Sequence, residues 1–64
     1  MAKYRDIISR VEAAGWRFIR QNGSHLVYQS PNNAAIVVIP AGGKLNRDAP
    51  KGTENAILRQ AGLK

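Results

Sequence analysis

A chain of 64 residues with no cysteine is expected to form one domain, residues 1–64, which buries about 60% of its unfolded surface and has no disulfide or zinc–thiolate cluster to brace it. Ten Lys and Arg against four Asp and Glu give a net charge of +6, which points to a polyanionic partner: nucleic acid first, an acidic protein second and a membrane surface third. The longest apolar stretch, Ala34 to Ile39, is too short to cross a bilayer, and the first residues lack the apolar core of a signal peptide, so a cytoplasmic protein is expected.

Tyr4, Ile7, Ile8, Val11 and Ala14 recur at helical spacing and predict an amphipathic helix from about Lys3 to Ala14, stopped by Gly15. Trp16 to Gln21 reads as a strand, Asn22-Gly23 as a tight hairpin turn, and Ser24 to Gln29 as the return strand. Ser30-Pro31-Asn32-Asn33 marks a second turn. Ala34 to Ile39 reads as a third strand, with Ile36, Val37, Val38 and Ile39 largely buried and Pro40 ending it. A loop from Ala41 to Ala49 leads to a second helix starting between Pro50 and Thr53, with Thr53 as a candidate cap. Ala56, Ile57, Leu58 and Ala61 form its apolar face and Gly62 its stop. The order α-β-β-β-α predicts an α+β two-layer sandwich: a three-stranded antiparallel sheet with both helices on one face and the other face open.

The charges avoid the middle of the chain. From Gln21 to Gly43 there is no Lys, Arg, Asp or Glu, and the single histidine, His25, sits in that neutral segment. Imidazole is the side chain whose ordinary titration lies nearest neutrality, although a lone histidine is more often structural than catalytic. One histidine and four scattered carboxylates offer no metal-ligand spacing. Ser24 is adjacent to His25 with no carboxylate nearby in the hairpin, so a serine triad is unsupported. RNA cleavage needs less equipment, because the 2′-hydroxyl is a built-in nucleophile: one imidazole can move the proton and Arg or Lys can steady the phosphate charge.

An Asn22-Gly23 turn would set Arg20 opposite His25, on a face shared with Trp16, Phe18 and Val27. A loop with an odd number of residues would instead put His25 with Arg17 and Ile19. Core positions are favoured for Trp16 and Phe18, whereas Tyr28 suits a rim equally well. Lys44 and Lys51 are candidate phosphate binders or ordinary solvated lysines. Gly42-Gly43-Lys44 lacks the spacing of a complete phosphate loop, and no small-molecule cofactor is expected.

Gly15-Trp16, then Arg20-Gln21-Asn22-Gly23-Ser24-His25, then Tyr28, flanked by Lys3 to Ile8 and by Lys51-Gly52-Thr53 and Ala56 to Leu63, resembles the signature of the HicA toxin family over nearly the whole chain. The resemblance implies a fold like that of the double-stranded-RNA-binding domain. It also implies metal-independent, ribosome-independent cleavage of mRNA, inhibition by a HicB-like antitoxin, and a catalytic histidine that falls on His25. Arg17, Arg20, Gly23, Ser24 and Lys44 are then the candidate RNA-binding residues. A non-catalytic RNA-binding module of the same fold is the alternative. Many members carry a second histidine shortly after the third strand's proline, where this chain has Ala41. Asn46, Arg47 and Asp48 also replace a plainer basic run.

Overall fold

The structure, a computed structural model, describes residues 2–64. Its elements are α1 (Tyr4–Ala13), β1 (Arg17–Asn22), β2 (His25–Gln29), β3 (Ile36–Ile39) and α2 (Lys51–Gln60). The strands form one antiparallel sheet in the order β1-β2-β3. This is the expected α+β arrangement, with both helices on one face of the sheet.

Helix α1 buries Tyr4, Ile7 and Val11, a stripe at helical spacing, while Arg5, Asp6, Ser9 and Arg10 face solvent. No side chain caps its start. The first amides donate instead to loop carbonyls: Tyr4 N–H to Arg47 O and Arg5 N–H to Leu45 O, both at 3.0 Å. Asn46 is held as well, its side-chain oxygen accepting from Arg5 Nη1 at 3.1 Å. The 41–49 loop is thereby stitched to the beginning of α1.

Helix α2 starts directly after Pro50, whose φ of −56° presets the entry. The expectation that Thr53 caps the helix is corrected. Thr53 lies inside the first turn, and no side-chain cap bond forms. Ile57, Leu58 and Ala61 are buried, whereas Ala56 is exposed.

Helix residues Ile7, Val11, Ile57 and Leu58 meet Leu26 and Tyr28 of β2 and Val37 and Ile39 of β3 in one apolar core. Each such side chain contributes about 1.5–3 kcal/mol by leaving water. Two expectations of burial fail here, each for its own reason. Ile36 and Val38 are 48% and 38% exposed rather than buried, because they alternate onto the uncovered face of the sheet. Phe18, expected in the core, is 51% exposed. It lies on β1, an edge strand whose residues are all exposed. Its ring still meets Tyr28 edge-to-face, with centroids 5.7 Å apart. Trp16 is half-buried against the core.

Candidate functional site

The β1–β2 hairpin carries Arg17, Arg20, Gly23, Ser24 and His25, five of the residues singled out from the sequence. Its turn is Gly23-Ser24, one residue later than expected, and Asn22 remains in β1 paired with His25. The backbone explains the shift. Gly23 has φ +63°, and among the described residues no residue other than glycine has positive φ. A type II′ turn needs only its first central residue there, whereas a type I′ turn on Asn22-Gly23 would force Asn22 there too.

The register then decides the faces. Asn22 opposes His25, Arg20 opposes Val27 and Arg17 opposes Gln29, with a bulge between Phe18 and Arg20. The extra residue, Ile19, resets the alternation: Arg17 joins Arg20 and His25 on the open face, while Phe18 turns to the side of Tyr28. Arg20 and His25 therefore share a face as diagonal neighbours rather than as a directly opposed pair. Neither of the two registers open from the sequence occurs in full: Trp16 and Phe18 do not join that face, and of the Arg17–Ile19 pair only Arg17 does, Ile19 being the bulged residue.

The open face has an apolar centre. Val27 is 5% exposed yet lies outside the helix-covered core, and Ile36 and Val38 extend the patch across β3. Arg17, Arg20, Asn22 and His25 edge it, all solvent-exposed. Among the described residues there is no enclosed cavity, and no group of three or more metal-ligating side chains gathers. No described helix is long and apolar enough to cross a membrane.

Tyr28, three residues after His25, points the other way. It is 4% exposed, and its hydroxyl donates to Glu12 Oε2 at 3.3 Å. Burial, then the Glu12 carboxylate and the hydrogen bond to it, push its pKa up to about 12. The rim position considered for Tyr28 is not the one it takes, and its hydroxyl is unavailable to a ligand on the open face.

Lys44 arrives from the 41–49 loop. The Gly42 N–H donates to the Ser24 carbonyl at 2.8 Å, and the Lys44 N–H donates to Ala41 O at 2.9 Å, closing a turn around Gly43. The exposed Lys44 thus stands two residues from a direct contact with the hairpin tip. Ala41 is fully buried in the core cluster, so the residue after Pro40 does not contribute to the open face. Lys51 opens α2 and is exposed.

Sequence reasoning passed over Gln21 and Gly42. Gln21 Nε2 donates to the Gly23 carbonyl at 2.9 Å, and Gly42 packs on Ser24. The signal available was the glycine pair before Lys44, set aside once its spacing failed to match a phosphate loop.

No curated protein matches the chain. A family profile described as the HicA toxin of bacterial toxin–antitoxin systems matches residues 4–63. The match runs from the first residue of α1 to beyond the end of α2 and takes in the hairpin that carries His25. The chain belongs to the HicA toxin family of bacterial toxin–antitoxin systems, and its partner is an antitoxin.

Proposed function

We propose that this toxin is a metal-independent endoribonuclease that cleaves single-stranded mRNA in the cytoplasm, with His25 as its catalytic residue and a HicB-like protein as its antitoxin. The observation that carries this reading is the open sheet face, which His25, Arg20 and Arg17 share on paired strands.

In such a reaction the RNA 2′-oxygen loses its proton and bonds to the adjacent phosphorus. The 5′-oxygen of the next nucleotide leaves and takes up a proton. The products are a 2′,3′-cyclic phosphate and a 5′-hydroxyl. The nucleophile belongs to the substrate, so no metal-bound hydroxide is needed and DNA is spared. His25 takes the first proton or delivers the second, a role worth about 10²–10⁴-fold. Arg17 and Arg20 offset the charge that builds on the phosphorane. Gly23 and Ser24 bring backbone N–H groups and a hydroxyl to the same phosphate. Lys44 binds a neighbouring phosphate as a point charge. Val27, Ile36 and Val38 give the bases an apolar floor.

The test is incubation of the purified chain and its His25→Ala variant with single-stranded RNA in EDTA. Cleavage by the unsubstituted chain alone, leaving cyclic phosphate ends, is expected. RNA binding without cleavage by either protein would replace the nuclease with a non-catalytic RNA-binding module.

A further inference from the structure

The Gly23-Ser24 turn is gripped at both of its carbonyls. Gln21 Nε2 donates to Gly23 O at 2.9 Å, and the Gly42 N–H donates to Ser24 O at 2.8 Å. A Cβ at position 42 would lie 2.8 Å from Ser24 Cα and 2.9 Å from Gln21 Nε2. Only glycine brings a backbone N–H this close to the tip. Gln21 opposes Leu26, so its side chain reaches the turn from the helix-covered side, opposite His25.

The grip has a firm base. Ala41, the residue before Gly42, is fully buried. The same loop is bonded to the start of α1 through Leu45 and Arg47. The tip of a two-stranded hairpin frays when left to itself; this one is tied to the body of the fold from a separate segment of chain. In a trans peptide the N–H points opposite the C=O. Holding the Gly23 carbonyl toward Gln21 therefore directs the Ser24 N–H away from Gln21 and away from the helices. Fixing the Ser24 carbonyl sets the peptide plane that leads into His25.

We infer that Gln21 and Gly42 are positioning residues: together they clamp the Gly23-Ser24 turn and so fix the Ser24 and His25 backbone for work on the open face. They touch the turn and not the substrate. The clamp is a statement about the folded chain, and its effect on catalysis rests on the nuclease reading above.

Two variants and two readouts test it. Gly42→Ala places a methyl group where Ser24 Cα leaves no room, and Gln21→Glu removes the donor while keeping the side chain's shape. Gln21 is exposed, so the second variant keeps the core intact if the first fails to fold. In the RNA-free protein, the amide signals of Gly23, Ser24 and His25 are expected to shift and to exchange faster with solvent, while those of β3 and the helices stay in place. With RNA, kcat is expected to fall roughly 10- to 100-fold, the scale of a misplacement near 1 Å, with KM changed much less. Turn signals that stay in place in both variants would overturn the clamp. Signals that move with kcat unchanged would overturn its positioning role. An unsubstituted chain that cleaves no RNA sinks the nuclease reading instead, and the clamp then stands or falls on the amide signals alone.

Discussion

If Arg17, Arg20 and Lys44 each hold a phosphate, RNA affinity must carry their number in its salt dependence. Each contact with a single strand releases about 0.7 counterion, so three contacts give a slope of log K against log salt of about −2. Between 50 and 200 mM salt the affinity then falls about 18-fold, and about 7-fold once one contact is removed. The measurement is fluorescence anisotropy of a labelled single-stranded RNA, made in a His25→Ala background so that the ligand survives. Arg17→Ala and Arg20→Ala should each reduce the slope by about 0.7. Arg10→Ala and Arg59→Ala serve as controls, because those residues lie on the exposed sides of α1 and α2, across the sheet from His25. Equal slopes for the open-face and helix variants would refute the assignment of the phosphate path to the open face.

Two further outcomes follow from the packing. Ile39 is fully buried, so Ile39→Ala should cost about 2–5 kcal/mol, a large share of the roughly 3–10 kcal/mol available to a domain of this size. Phe18→Ala should cost about 1 kcal/mol, mostly the edge-to-face contact with Tyr28. Urea midpoints that rank the two in the reverse order would show that β1 is covered after all. Tyr28 gives a pH signature. Its folded pKa is raised from 10.0 to about 12, so its contribution to stability is complete below pH 10 and is lost as pH climbs toward about 12. Melting temperatures of Tyr28→Phe should decline less steeply than those of the parent across that window, and parallel curves would remove Tyr28 as the source.

The helices were legible because their periodicity is long and their stops are glycines: α1 falls within a residue of the expected Lys3–Ala14 span at each end. The strands were legible as strands, but their faces were not. Alternation is so short a period that one bulge at Ile19 exchanges Phe18 for Arg17, and no local composition announces that bulge. Asn-Gly is a strong turn signal, and it misled by one residue because Gly-Ser satisfies a different turn with a single positive φ. Which apolar residues would be covered depended on which sheet face the helices take and how far across it they reach: Ile36 and Val38 fall on the other face, and Phe18 on the edge strand. His25, Arg17 and Arg20 were singled out by residue type and motif, and the strand register puts them on one face. Gly42 meets the turn across the fold, a contact that a linear reading does not contain, and the Gln21 bond to Gly23 O depends on where the turn falls.

Strand β1 has a consequence for how long the open face stays intact. It contributes Arg17 and Arg20, yet none of its residues is buried and it has one strand neighbour, β2. Such a strand opens at a lower free energy than the core, and it opens while the rest of the chain remains folded. The protein can therefore be native by every global measure and still lose the placement of Arg17 and Arg20 on the open face for part of the time. A ligand or partner laid over β1 removes those openings by mass action, so whatever docks there acts on the persistence of the site as well as on access to it.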